Sequence, residues 1–226
     1  MSDLAVYDMD RTLTRHATYT PFLLHCALRR APWRLLLLPL VLVSMLAYLA
    51  GLIDRARLKE INHALLLGRA VHPRDLKPLV DGFAAATVAG NIRPGAFRAI
   101  ARDKAQGRRL VLATASYRLY ADAIAERLGF DDVIATGSVI GLDERVRSRI
   151  SGDNCYGDAK LKMIAEWVEK SGLTGAHGHV RFYSDHASDQ PAFEWADEPV
   201  AVNPHPRLAR LAKARGWAIE DWGDVG

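Results

Sequence analysis

The chain has 226 residues, half of them hydrophobic and a quarter charged. That is globular usage with room for one α/β domain carrying an insertion, and it excludes a disordered, fibrous or repeat protein. Two cysteines, Cys26 and Cys155, are too few for a disulfide scaffold or a Cys-rich zinc module. The net charge of +4 is too small to imply a nucleic-acid partner. Its distribution is uneven: from Arg15 to Asp75 nine Lys and Arg face three acids, and the rest of the chain is slightly acidic.

Leu4–Tyr7 reads as a short buried strand that runs into an acidic loop. Residues 16–92 read as a helical insertion containing Leu35–Ile53, 19 residues without a charge, close to the roughly 20 that span a bilayer. It starts too late, and without a basic leader, to be a secretory signal. Arginines precede it (Arg29, Arg30, Arg34), and Arg55, Arg57 and Lys59 follow it. With both flanks basic, both ends are expected on the same, cytoplasmic side. A shallow membrane hairpin is then expected, broken at Pro39, with Thr20–Leu28 as its second arm. The alternative is a helix buried within the insertion or in a homodimer interface formed by it.

After Pro94-Gly95, residues 96–107 read as a helix closed by Gly107, Arg109–Ala113 as a strand and Tyr120–Leu128 as a helix. Val133–Thr136 reads as a third strand and Val139–Ile150 as a hairpin. Ala159–Lys170 is expected as a helix, Val180–Tyr183 as a strand, Pro191–Ala196 as a helix start, Val200–Val202 as a last strand and Pro206–Arg215 as a basic helix. Strands alternating with helices predict an α/β fold with a doubly wound parallel sheet. Residues 1–15 and 93–226 would form the core, and 16–92 a helical cap whose segment 35–53 associates with a membrane.

In such sheets chemistry gathers at the carboxyl ends of the strands. Asp8 and Asp10 follow the first strand, Thr114 ends the second, Lys160 opens a helix, and Asp185 and Asp189 follow the Val180 strand. Carboxylates this close repel unless a cation joins them, and hard oxygen ligands suit Mg²⁺. A carboxylate can attack phosphorus, a second acid can move the proton, and a lysine can neutralise the phosphoryl charge. Ser116 is an alternative to Thr114 as the hydroxyl, Lys162 to Lys160 as the lysine, and Asp189 can equally be a helix cap. The four histidines of the insertion and both cysteines receive no role.

With VYDMDRTLT, LVLATAS, NCYGDAK and RFYSDHASD in this order, the chain resembles the haloacid dehalogenase-like hydrolase superfamily, in the phosphoserine phosphatase-like branch of subfamily IB. The resemblance implies Asp8 as nucleophile, Asp10 as general acid/base, and Thr114 and Lys160 as phosphate ligands. It further implies Mg²⁺ held by Asp8, the Asp10 backbone carbonyl and Asp185, with Asp189 in support. Arg11 stands where glycine is commoner and His186 where a small residue is. The apolar insertion is similar to the phosphatidylglycerophosphatase C type. The expected function is an Mg²⁺-dependent phosphomonoesterase acting on a membrane lipid phosphate at the inner face of the cell membrane. The alternatives are a soluble phosphatase of phosphoserine or another small metabolite, and a non-catalytic membrane-associated binding protein.

Overall fold

The computed structural model describes residues 2–172 and 177–223. Strand β1 (Ser2–Tyr7) runs into a wound loop, Met9–Leu13, and then into helices α1 (Tyr19–Arg30), α2 (Leu38–Leu49), α3 (Arg55–Leu66) and α4 (Pro73–Gly90). A 3-10 turn, Pro32–Leu37, precedes α2, and a two-residue strand, β2 (Ala70–Val71), separates α3 from α4. There follow α5 (Pro94–Ala105), β3 (Arg109–Tyr117), α6 (Arg118–Leu128), β4 (Asp132–Ile140), β5 (Val146–Ser151) and α7 (Asp158–Lys170). The chain ends with β6 (His177–Ser184), α8 (Gln190–Trp195), β7 (Glu198–Val202), α9 (Pro206–Arg215) and β8 (Ala218–Glu220).

These strands form one sheet in the order β2-β5-β4-β3-β1-β6-β7-β8. From β4 to β8 it is parallel, with β1 between β3 and β6. The expected hairpin, β4–β5, and the short β2 make an antiparallel edge. Side chains of a strand alternate between faces, and both faces of β1 and β3 are covered. Leu4, Val6, Val111 and Ala113 pack with Ile164, Phe182 and Phe193 on one side. Ala5, Tyr7, Leu110 and Leu112 pack with Ile124 and the insertion on the other. A strand buried on both faces must be apolar throughout, which is why Leu4–Tyr7 shows no polar alternation.

The helical insertion leaves the sheet through a closed neck. Thr14 bridges to Ile92, Arg15 N–H donates to Asn91 O at 2.7 Å, and Arg93 N–H donates to Leu13 O at 2.8 Å. Two expectations for the insertion need correction. Thr20–Leu28 is no membrane arm, because it lies in α1 with Phe22, Leu23, Cys26 and Ala27 buried in the core. Nor is the uncharged stretch buried within the insertion, since in α2 only Val41 and Ser44 are covered. Several flanking cations also have partners. Arg34 donates to the carbonyls of Ala64 and Leu65 near the end of α3, and the Lys59 side chain is buried. Pro39 does not divide a helix; it sits in the first turn of α2, where its missing N–H breaks no bond.

Candidate active site

The parallel strands deliver their carboxyl ends to one edge, and the polar residues there are buried: Asp8, Thr12, Thr114, Lys160, Asp185 and Asp189 are all under 10% exposed. Asp8 leaves β1 with its N–H bonded to Tyr183 O of β6 at 2.9 Å, which fixes where its carboxylate emerges. Lys160 Nζ donates to Asp8 Oδ1 at 2.8 Å and to Asp189 Oδ2 at 2.7 Å. Ser184 Oγ holds the same Asp189 oxygen at 2.7 Å. On its other side Asp8 faces Asp185 through Thr12, whose Oγ1 lies 3.1 Å from Asp8 Oδ2 and 3.2 Å from Asp185 Oδ1.

Sequence reasoning left several choices open at this edge. Lys160, not Lys162, lies at the cluster; Lys162 is exposed and paired with Asp153. Its position follows from Gly157, whose φ of 60° turns the loop into α7. A side chain is strained in that region of backbone space. Thr114 lines the cavity and its Oγ1 accepts from Ser116 N–H at 3.0 Å. Ser116 Oγ instead donates to Asp10 Oδ2 at 2.7 Å, so the two hydroxyls have different partners. Asp189 makes no capping bond to α8 and is committed to Lys160 and Ser184.

Asp10 is oriented separately. Its Oδ1 accepts from Thr18 N–H at 2.6 Å and from Thr18 Oγ1 at 2.7 Å, which leaves its carboxylate outside the Asp8–Asp185 pair. Tyr120 OH backs this arrangement with a 2.7 Å bond to Ser116 Oγ. Directly after Asp10 the loop bends at Arg11, whose φ of 65° is the left-handed region that glycine enters freely. We expect Arg11→Gly to stabilise the fold by about 1 kcal/mol, read as a raised midpoint in chemical denaturation.

Burial pushes the Asp8 carboxyl up to about 7; Lys160 opposes this, while Asp189 and Asp185 add to it. Asp185 is raised for the same first reason. Burial also works against the charge on Lys160, but Asp189 and Asp8 outweigh it, and its ammonium is held well above the ordinary lysine range. The cluster thus has more acid than Lys160 alone balances. Thr12 carries one hydroxyl proton between two carboxylate oxygens, and Asp189 Oδ1 is buried without a hydrogen-bond partner among the described residues. Hard, under-neutralised oxygens of this kind fit Mg²⁺. No group of three or more His, Cys, Asp or Glu side chains forms a metal cluster among the described residues. Two carboxylates suffice for Mg²⁺, which usually keeps several waters.

A cavity of about 380 Å³ opens over Asp8, Asp10, Thr114 and Lys160. A neighbouring lobe of about 240 Å³ reaches into the insertion and is lined by Met45, Tyr48, Lys59 and Asn62. Arg55, Tyr19 and Thr20 line both. Lys59 is a residue the sequence reading missed. Its Nζ donates to Ala115 O, beside Thr114, and to Asn154 Oδ1 at 2.9 Å, and lies 4.8 Å from the Tyr117 ring centroid. The available signal was the buried stripe of α3, on which Lys59 falls with Asn62, His63 and Leu66.

Burial and the neighbouring Arg55 push Lys59 down from 10.5 to about 7, against the pull of Asp10 and Cys155. The folded state therefore disfavours the charged form. The resulting penalty is full below about pH 7 and disappears above the unfolded value, so the lysine makes stability rise as pH climbs from about 7 to 10.5. We expect Lys59→Met to flatten this part of the stability profile, measured by denaturation at a series of pH values.

A family model described as haloacid dehalogenase-like hydrolase matches residues 5–194. A histidinol-phosphatase of Neisseria meningitidis is 31% identical over 97 residues, 42% of this chain and 44% of that protein. A phosphoserine phosphatase of Mycobacterium tuberculosis is 31% identical over 116 residues, 51% of this chain and 37% of that protein. The matches thus span less than half the length of these relatives. A crystal structure of a protein of unknown function from Bordetella pertussis Tohama I superposes with a TM-score of 0.87 at 26% identity, covering 98% of this chain and 99% of that one. The matched span contains every strand-end residue of the cluster, and the chain belongs to the haloacid dehalogenase-like hydrolase family.

Proposed function

We propose that this protein is an Mg²⁺-dependent phosphatase of small, soluble phosphate monoesters. The observation that carries the reading is Asp8, buried at the floor of the cavity and held between Lys160 and Thr12 while Asp10 stands oriented by Thr18 and Ser116. Asp8 attacks phosphorus and forms an aspartyl-phosphate, and the ester oxygen leaves with a proton from Asp10. Asp10 then takes a proton from the water that hydrolyses the intermediate. Lys160 and Thr114 hold the phosphoryl oxygens, and Asp189 keeps Lys160 in place. Asp8, the Asp10 carbonyl and Asp185 would hold Mg²⁺, which when bound offsets the negative charge of the transferring group.

The histidinol-phosphatase and phosphoserine phosphatase relatives support a small metabolite rather than the lipid first expected. The cavity agrees, since about 380 Å³ suits a compact ligand. A purely binding role is disfavoured, because a complete set of nucleophile, acid/base, lysine and acids meets in that one cavity. Both cysteines are unpaired, which supports the cytoplasmic location expected from the sequence.

A phosphate-release panel tests the reading. Phosphoserine and histidinol phosphate would be compared with phosphatidylglycerophosphate and phosphatidic acid in mixed micelles, with and without EDTA. Turnover of a soluble ester, silenced by EDTA and restored by Mg²⁺, is expected. Hydrolysis confined to the lipids would return the substrate to the first expectation, and no metal-dependent hydrolysis of any ester would refute the proposal.

A further inference from the structure

The helical insertion presents a surface that hydrolysis of a soluble ester does not use. From Pro32 to Leu49 the chain has the length and apolar character of a membrane-crossing segment, yet only 11% of that window is buried. Leu42, Leu46 and Leu49 are 61%, 64% and 76% exposed, and Trp33, Leu36, Leu40 and Val43 face outward as well. A core helix would show the reverse. A cleaved leader is excluded because the residues before the segment form the central strand and supply Asp8.

We propose that α2 and the turn before it dock this protein on an anionic lipid bilayer, lying in the interface rather than crossing it. With the turn before it, helix α2 covers the 18 residues from Pro32 to Leu49, so its attachment to the rest of the fold, rather than its length, decides between lying and crossing. The turn before it and its middle are tied to one folded body. Arg34 binds the end of α3 through Ala64 O and Leu65 O, and Ser44 Oγ donates to Asn62 Oδ1 at 2.8 Å. The inner face is thereby fixed on α3, and the outer leucine face is left for the acyl region. Exposed cations flank it, Arg29 and Arg30 before it and Arg55 and Arg57 after it. Trp33 and Tyr48 lie toward its two ends, where amphipathic rings sit at the headgroup level. Arg30 and Arg57 already pair with Asp75 and Glu60, and anionic headgroups would neutralise Arg29 and Arg55. A second copy laid on the same face would bring a second basic rim against the first, so the charge pattern favours lipid over self-association.

The full chain would be floated with vesicles of phosphatidylcholine alone and of phosphatidylcholine mixed with phosphatidylglycerol. Its counterpart is the triple variant Leu42→Glu, Leu46→Glu, Leu49→Glu, whose side chains lie outside both cavity lobes. Turnover of a soluble aryl phosphate and the melting transition report that the variant is folded. Wild type is expected to float with the anionic vesicles, with at least about tenfold less binding to neutral ones or for the variant. Absence of flotation overturns the proposal, and a wild-type dimer that the variant dissociates would then assign the face to a second copy. Flotation undiminished in the variant overturns it too. A failure of ester hydrolysis alone leaves the flotation result standing and counts only against the phosphatase reading.

Discussion

Asp8→Asn is expected to lower ester hydrolysis by at least about a thousandfold while the protein keeps its cooperative melting transition. The amide has nearly the shape of the carboxylate, but it neither attacks phosphorus nor serves as a strong Mg²⁺ ligand. The fold tolerates it because ionised Asp8 is held against its environment: burial and the charges of Asp189 and Asp185 push its carboxyl up to about 7, and a neutral group relieves that repulsion. Lys160 keeps Asp189 as partner at 2.7 Å. The check pairs steady-state phosphate release with thermal melting on one preparation. Near wild-type turnover would remove Asp8 from the chemistry.

Lys160→Met should do more damage to the fold. Asp8 and Asp189 would be left buried around an apolar side chain, and breaking a buried ion pair from one side costs about 3–5 kcal/mol. Since the folded protein holds the lysine ammonium well above its ordinary value, the contribution of Lys160 is complete at neutral pH. It fades only as pH rises from the unfolded lysine value toward the higher folded one. With Asp8 held at about 7 by its surroundings and raised further once Lys160 is gone, the carboxyl is protonated in both proteins at pH 5 and ionised at pH 8.5 only where the lysine supports it, so the variant's deficit should be smaller at pH 5 and larger at pH 8.5. Urea denaturation of both proteins at the two pH values measures this, and turnover by the variant should be lost at either. A deficit that does not change with pH would mean that packing, rather than charge, accounts for the lysine.

The outcome at individual residues shows which kinds of information a sequence carries. Strand-end chemistry was legible because the apolar runs Leu4–Tyr7 and Arg109–Ala113 announce buried strands, and a polar residue following such a run can only emerge at the sheet edge. The neighbours that orient those groups were not legible. Thr12 reaches Asp185 and Ser116 reaches Asp10 only through tertiary folding, and the nearer contacts of Thr12, Thr18 and Tyr120 follow from loop and helix geometry that leaves no hydrophobic period. Strands β2 and β8, two and three residues long, are too short to leave a period. Lys59 was counted as a flanking surface cation because lysine is rarely buried, yet its backbone lies on the inner stripe of α3 and its ammonium meets Ala115 and Asn154. The apolar stretch stands out in the sequence, but composition alone cannot separate a buried helix from an exposed one. Only the structure shows α2 packed along α3 with its leucines facing outward.

The most direct measurement of the central claim is the mass of the Asp8-containing peptide after the Asp10→Asn variant has been mixed with Mg²⁺ and a reactive aryl phosphate and quenched in acid. With the proton-transferring acid removed and a leaving group that needs no proton, the second half-reaction should stall. The account predicts one added phosphoryl group on Asp8, absent from the Asp8→Asn, Asp10→Asn double variant. An unmodified Asp8, with phosphate released at the wild-type rate, would contradict it.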